Sequence, residues 1–183
     1  MQIIGIVGSP RVEGNTQKLI EIMLESGAEN GAETKIFNLN EMDIKGCQSC
    51  YHCKTTDEGC AVKDDMIQLF EEIKQSDAVI IGSPIYFGQI SGQLKIFIDR
   101  HFSQIGRDFK SKLGTRDLVL VFTHGNPNSE LFKPYIDTTS RIFRMMGYKL
   151  QDTIIAPGLR QIGAIHKEEK LVQKAKEIGA KLA

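Results

Sequence analysis

The chain has 183 residues, with 23 Lys and Arg against 23 Asp and Glu, so its formal net charge is zero. That length suits one compact domain, residues 1–183, with a core of its own. Balanced charge argues against binding to nucleic acid or to a membrane surface, since both depend on excess Lys and Arg. No apolar stretch reaches the length of a signal peptide or membrane span. We therefore expect a soluble, cytoplasmic protein.

Strand and helix patterns alternate along the chain. Short apolar, β-branched runs predict strands at residues 2–7, 34–37, 78–82 and 118–123, and around 154–155. Apolar residues at helical spacing predict helices from 16 to about 27, from 66 onward, and at 91–100, 135–146 and 167–182. Asp64 and Asp65 stand where the second helix needs an N-cap. Five strands alternating with five helices predict an α/β, doubly wound parallel sheet with helices on both faces.

Ligands of such sheets bind beyond the carboxyl ends of the strands, where the strand order reverses. This points to three loops, at residues 8–15, 83–88 and 123–128. One further connection, at about 38–64, is long, has no periodic pattern and contains all four cysteines. Long loops in compact domains are usually functional or disordered, and clustered cysteines favour function.

The first loop, GSPRVEGNT, has the features of a phosphate site. It leads into a helix N-terminus, which offers unpaired N–H groups and a partial positive charge. Ser9, Asn15 and Thr16 add hydrogen-bond donors, and Arg11 adds a formal charge. The dinucleotide fingerprint and the P-loop lysine are both missing, so the loop favours a monophosphate held mostly by neutral donors. The alternative is an ordinary Gly/Pro turn with an N-cap.

The other two loops are suited to a flat ring. Tyr86 and Phe87 place aromatic surface after the central strand, and Pro84 should end that strand's pairing. His124 lies in the third loop, where it could contact the same ring. The alternatives are that the aromatic residues belong to the core and that the histidine has no role in binding or proton donation.

GSPRVEGNT, followed by GSPIYFGQISGQLKIFIDR, resembles the flavodoxin-like NAD(P)H-dependent flavin reductase family over the full chain. The resemblance implies the strand order 2-1-3-4-5, FMN as cofactor, and a homodimer or dimer of dimers. It assigns the phosphate to Ser9, Arg11, Asn15 and Thr16, and the flavin ring to Pro84, Ile85, Tyr86, Phe87, Gly88, Thr123, His124 and Gly125. Lys95, Asp99 and Arg100 belong to the family's helix signature, although a solvated helix face or a subunit contact explains them equally well.

The cysteine spacing is C-x₂-C-x₂-C-x₆-C, at Cys47, Cys50, Cys53 and Cys60. Structural zinc usually takes two separated C-x₂-C pairs, whereas three cysteines at this spacing are typical of iron–sulfur clusters. All four could ligate one [4Fe–4S] cluster, and the motif resembles that of the iron–sulfur flavoproteins, a branch of the same family. Free thiols, a redox disulfide and zinc remain alternatives, and His52 is interpreted as a bystander.

These features predict an electron-transfer flavoprotein. FMN accepts a hydride and releases electrons singly, so it connects two-electron donors with one-electron carriers. The expected donor is NAD(P)H, bound transiently, or a ferredoxin-like protein, and the acceptor is a small redox protein or small molecule. One alternative is an NAD(P)H-dependent FMN or quinone reductase without a cluster. Another is a non-catalytic flavodoxin-like module that uses its cysteine loop for zinc or a partner.

Overall fold

A computed structural model describes residues 1–56 and 58–183. In chain order the elements are β1 (Gln2–Val7), α1 (Asn15–Glu29), β2 (Glu33–Asn38), α2 (His52–Thr55), α3 (Met66–Gln75), β3 (Ala78–Tyr86), β4 (Gln89–Ile90), α4 (Gly92–Arg100), β5 (Arg116–Thr123), α5 (Lys133–Met145), β6 (Tyr148–Ala156) and α6 (Glu169–Leu182). Short 3₁₀ turns lie at His101–Gln104 and Ala164–Lys167. Every predicted helix and strand is present, and two short elements, α2 and β4, are additional.

The sheet order is β2-β1-β3-β5-β6, with the two-residue β4 paired antiparallel to the end of β3. The five long strands are parallel. Without β4 this is the predicted order 2-1-3-4-5, so the fold prediction is confirmed. The direction of winding reverses between β1 and β3, which makes that edge the switch point.

Alternation along the strands builds two cores. On β1, Ile4 and Ile6 pack in the cluster that includes α3, α4 and α5, whereas Ile3 and Val7 pack in the cluster with α1 and α6. Successive strand side chains point to opposite faces, so a strand that is apolar at every position needs helices on both sides. This is why the sheet is covered on each face.

Helices α1 and α6 approach each other at Gly179. A Cβ at this position would overlap the main-chain carbonyl of Met23. The two helices therefore pack backbone against backbone, and only glycine permits that distance.

The predicted end of the central strand at Gly82 is wrong, because β3 continues to Tyr86. The Gly82 carbonyl accepts a hydrogen bond from the Gly8 amide, on the side of β3 that faces β1. Backbone polar groups of alternate residues point to the same side of a strand, so the nitrogen of Pro84 also faces that side. The pairing with β1 has already ended there. The missing N–H of proline therefore interrupts no pairing, and Pro84 pairs with Thr123 of β5 in register. The predicted loop 83–88 is thus the end of β3 and the tip of the β3–β4 hairpin.

In its described residues, the connection between β2 and α3 is mostly irregular, with the four-residue α2 as its one regular element. Met42 and Ile44 pack against the core from this segment. Among the described residues, no helix is both long enough and apolar enough to span a bilayer.

Candidate functional site

A cleft of about 250 Å³ opens at the carboxyl ends of β1, β3, β5 and β6. The residues that line it are Ser9, Arg11, Gly14, Asn15, Thr16, Pro84, Ile85, Tyr86, Thr123, His124, Gly125, Leu159 and Arg160. The three loops singled out in the sequence therefore meet in one place, at the switch point of the sheet. A fourth loop, which follows β6 and was not predicted from the sequence, supplies Leu159 and Arg160. Its signal was the Pro157-Gly158 pair directly after the last strand.

The first loop presents the amino end of α1 to the cleft. Gly14 is the N-cap and contributes no side-chain cap, so the amides of the first turn have no partner within the helix. The loop is tight: the Ser9 hydroxyl accepts a hydrogen bond from the Arg11 amide at 3.2 Å. A Cβ on Gly14 would lie 3.1 Å from the Arg11 carbonyl oxygen. This arrangement directs N–H groups and a partial positive charge toward an anion.

The side chains of Asn15 and Thr16 are bonded to other loops of the protein. Asn15 Nδ2 donates to the Gln161 carbonyl at 2.8 Å, and its Oδ1 accepts from the Ile165 amide at 3.1 Å. The Thr16 hydroxyl lies 2.7 Å from that of Thr123. These side chains hold the loops together, and their main-chain amides are the groups left to face a ligand. A direct side-chain contact with phosphate stays a prediction.

Two guanidinium groups border the same end of the cleft. Arg11 Nη1 donates to the Arg160 carbonyl at 3.0 Å, and Arg160 Nε donates to the Gly125 carbonyl at 2.8 Å. A chain of hydrogen bonds thus joins the first, third and fourth loops. The two guanidinium groups add positive charge beside the N-terminus of α1, which favours an anionic ligand there.

His124 forms the other part of the cleft. Its side chain is buried, packs edge-to-face with Phe132 at 5.0 Å, and has no partner for either ring nitrogen within the described chain. Burial lowers the pKa of His124 and outweighs the opposing effect of the nearby Asn126 main chain, so the imidazole is mainly neutral at pH 7. Buried polar groups nearly always have partners, and this one lines a cleft. A ligand with hydrogen-bonding groups at its edge would supply the missing partner.

The hairpin residues separate into two groups. Ile85 is buried and Tyr86 is 40% exposed, and both line the cleft with Pro84. Phe87 is fully exposed, and Gly88 follows it with a positive φ at the hairpin tip. Neither is among the residues lining the cleft, so their contact with a flavin ring stays a prediction.

The four cysteines are free thiols that line one recess of about 20 Å³. Cys47 and Cys50 are exposed, and Cys53 and Cys60 are half-buried. No group of three or more His, Cys, Asp or Glu side chains is close enough to hold a metal ion in the part of the chain that the structure describes. The four thiols thus share a recess without yet converging at ligand distances.

The cysteine loop is attached to the turn that follows α4. Lys54 donates hydrogen bonds to the carbonyls of Phe102 and Ile105, and its ammonium lies 4.1 Å from the Phe102 ring centroid. Tyr51 packs edge-on against the same ring, with centroids 5.7 Å apart. Burial lowers the pKa of Lys54. The residues next to Cys50 and Cys53 are therefore fixed by contacts with the folded domain.

The strand order and the switch-point cleft define a flavodoxin-like α/β protein with an uncapped helix N-terminus at the cleft. The chain belongs to the NADPH-dependent FMN reductase family, whose sequence profile matches residues 1–129. It is 41% identical over 116 residues to an iron–sulfur flavoprotein of Methanocaldococcus jannaschii, covering 62% of this chain and 59% of that protein. It is 31% identical over 186 aligned positions to an iron–sulfur flavoprotein of Archaeoglobus fulgidus, covering 100% of this chain and 79% of the relative.

Solved structures share the fold. The NAD(P)H:quinone oxidoreductase from Methanothermobacter marburgensis matches with a TM-score of 0.74 and 19% identity, over 100% of this chain and 99% of that one. An archaeal flavodoxin matches with a TM-score of 0.60 and 14% identity, over 100% and 96%. Several sequence relatives match over only 50 to 61% of their own length. These comparisons confirm the predicted family, its iron–sulfur flavoprotein branch and the flavodoxin-like fold.

Proposed function

We propose that this protein is an FMN-dependent oxidoreductase that passes electrons between a reduced donor and an acceptor, with a [4Fe–4S] cluster on its four cysteines. The observation that carries the proposal is the switch-point cleft. One end has an uncapped helix N-terminus beside Arg11, and the other has a buried imidazole without a partner. An anionic tail and a polar ring are the two halves of FMN.

The residues present fit FMN in a defined orientation. The first-turn amides of α1 would hold the phosphate, and Arg11 would offset its charge. Pro84, Ile85 and Tyr86 would pack along the ring, and neutral His124 would hydrogen-bond its edge. Bound FMN supplies hydride acceptance and single-electron release. The protein's own contribution is to bind, orient and partly desolvate the ring.

The open side of the cleft supports a transient donor. Tyr86 at its rim is 40% exposed, so a second flat molecule has access to the ring position. We infer NAD(P)H or a ferredoxin-like protein as donor, and a small redox protein or a quinone-like molecule as acceptor. The exposed Phe87, next in the chain, supports a homodimer or dimer of dimers with its interface at this hairpin.

The cysteine recess supports the cluster. Four thiolates are the usual ligand set of a [4Fe–4S] centre, and these four line one recess anchored through Lys54.

Cofactor content decides between the functions. Protein purified without oxygen should contain one FMN, about four iron atoms and about four acid-labile sulfides per chain. Flavin without iron would instead indicate an NAD(P)H-dependent FMN or quinone reductase without a cluster. Zinc without flavin would indicate a binding module and would overturn the proposal.

Replacing one ligand separates the two sites. Cys50→Ala should remove the iron and its visible absorption but leave FMN affinity unchanged. Gln48→Ala is the matched control, since it lies in the same loop, carries no thiol, and its amide donates to the Gly46 carbonyl. Iron content equal to wild type in Cys50→Ala would remove Cys50 from the ligand set.

A further inference from the structure

Arg100 connects the body of the protein to both ends of the cysteine segment. It is the last residue of α4, and only 1% of its side chain is exposed. Its Nη1 donates to the carbonyl of Lys45 at 2.8 Å, ahead of the first cysteine. Its Nη2 donates to the carbonyl of Val62 at 3.2 Å, after the last cysteine. A single guanidinium therefore fixes where the segment leaves the domain and where it returns.

Asp64 completes this anchor. Its carboxylate, which is fully buried, accepts from Nη1 at 2.5 Å and from Nη2 at 3.0 Å of Arg100. Burial acts to raise the pKa of Asp64, but the bonds from Arg100 and from the amides of Lys45 and Met66 outweigh it, so the pKa is lowered. The pair is ionised and neutral overall.

One nitrogen of Arg100 is left over. Its Nε is buried and has no hydrogen-bond partner within the described chain. Arg100 lines the same recess as Cys47, Cys50, Cys53 and Cys60. A buried guanidinium N–H without an acceptor is energetically unfavourable, because it has lost its bond to water and gained none in return. A sulfur anion in the recess would supply the acceptor.

Cys60 is the sulfur that best fits this role. It lines the recess with Arg100, and both residues also border a neighbouring cavity beside Lys63 and Lys74. Lys54, a further cation close to the recess, already donates to the main-chain carbonyls of Phe102 and Ile105.

We propose that Arg100 is a positioning residue for the cysteine site, which fixes both ends of the 45–64 segment and donates its Nε–H to the sulfur of Cys60. The second part rests on the proposed cluster. Hydrogen bonds to the cluster sulfurs are among the factors that set the reduction potential, because they stabilise the added negative charge. Arg100 therefore favours the reduced cluster, which carries one more negative charge.

The test needs a variant that leaves no buried charge unpaired. Arg100→Gln combined with Asp64→Asn removes both charges, whereas Arg100→Lys keeps the charge and loses the planar fork. Lys95→Gln is the matched control on the same helix, because it breaks only an exposed pair with Asp99.

The first measurement is the midpoint potential of the iron–sulfur cluster, determined by a redox titration that is monitored spectroscopically. The double variant should lose at least tenfold in the equilibrium constant for one-electron reduction, a negative shift of about 59 mV. In Arg100→Lys the cluster potential should shift by less. The FMN potential should stay at its wild-type value in these variants, and Lys95→Gln should keep the wild-type cluster potential. An assembled cluster with wild-type potential in the double variant would overturn the hydrogen bond to sulfur. If the double variant assembles no cluster, the cluster potential of Arg100→Lys is the test, and a value equal to wild type would overturn the hydrogen bond to sulfur.

The second measurement needs no cluster. Hydrogen exchange of the metal-free full chain should become at least tenfold faster for amides of residues 45–64 in the double variant, and stay unchanged in Lys95→Gln. Unchanged exchange would overturn the anchoring role. If wild-type protein contains no iron, the cluster proposal and the sulfur contact fail together, while the exchange result still decides whether Arg100 anchors the segment.

Discussion

Ser91 and Gly8, 83 residues apart in the chain, are joined by a hydrogen bond from the Ser91 hydroxyl to the Gly8 carbonyl. The same hydroxyl accepts from the Leu94 amide at 3.2 Å and so caps α4. The Ser91 amide donates to the hydroxyl of Ser83 on β3 at 3.0 Å. One buried serine thus connects the first residue of the loop between β1 and α1, the central strand and a helix N-terminus.

Ser91→Ala should destabilise the fold and weaken FMN binding together. Loss of the cap and the bond to Gly8 is expected to cost about 1–2 kcal/mol in the free energy of unfolding, measured by urea denaturation. Ser26→Ala is the control, since its hydroxyl donates to the Lys176 carbonyl far from the cleft. That control should lose stability but keep FMN affinity. Equal FMN affinity in both variants would contradict the role of Ser91 in the loop.

Arg11→Ala should discriminate between FMN and riboflavin. Removing the charge beside the α1 terminus should weaken FMN binding about tenfold, because a charge-assisted hydrogen bond contributes about 1.5 kcal/mol or more. Riboflavin, which has no phosphate, should bind as before. Titration calorimetry with both ligands measures the difference, and Lys18→Ala, a residue paired with Glu21, is the control. Equal loss for both ligands would place Arg11 away from the phosphate.

His124→Phe should weaken flavin binding without changing the shape of the cleft. Phenylalanine keeps the ring that packs on Phe132 but lacks both nitrogens. The loss expected for one hydrogen bond is about 1 kcal/mol, or roughly fivefold in affinity. Stability should not fall, because the nitrogens have no partner in the described chain without ligand. Unchanged flavin affinity would mean that His124 makes no bond to the ring.

His101 should make stability depend on pH. Its ring is buried between the Phe97 carbonyl and the Tyr148 hydroxyl, each 2.9 Å away, and burial lowers its pKa from 6.5 to about 4. The unfolded chain takes up a proton below pH 6.5, whereas the folded protein does so only near pH 4. The contribution of neutral His101 to the free energy of unfolding is therefore fully present above pH 6.5. The free energy of unfolding should fall by about 3 kcal/mol as the pH decreases from 6.5 to 4.

Urea unfolding of wild type and His101→Gln across this range tests that assignment. The variant should be less stable at pH 7 but show a flatter dependence on pH. Parallel curves for the two proteins would show that the acid sensitivity comes from other groups.

Gly179→Ala should separate α1 from α6. The new methyl group would overlap the Met23 carbonyl, and the resulting strain is expected to cost about 1–3 kcal/mol in thermal or urea unfolding. Gly92→Ala is the control, because nothing lies within 4 Å of its added Cβ at the start of α4. That change should stay within about 0.5 kcal/mol of wild type. Equal stability of both variants would show that the helices can shift apart freely.

Patterns that are local in the chain were readable from the sequence. Short apolar, β-branched runs predicted all five long strands, and the helical period of 3.6 predicted the five main helices, because a strand covered on both faces is apolar throughout and a helix buries one face. The three loops of the cleft followed from the rule that ligands bind beyond the strand ends. The β3 boundary was missed, since whether proline ends a strand depends on whether its neighbour still needs an N–H.

Long-range side-chain partners were beyond the sequence. The side-chain amide of Asn15 donates a hydrogen bond to the loop after β6. Arg100, assigned from the sequence only to a helix signature, binds both ends of the cysteine segment. The residue type and its spacing in the chain are the same whether the side chain faces a ligand, solvent or another loop, so the sequence does not distinguish these cases. The sequence by itself determined the fold class and the chemistry of the loops, because these depend on periodicity and residue type. Only the tertiary structure decided which polar groups are already paired and which remain for a ligand, because pairing depends on contacts between distant segments.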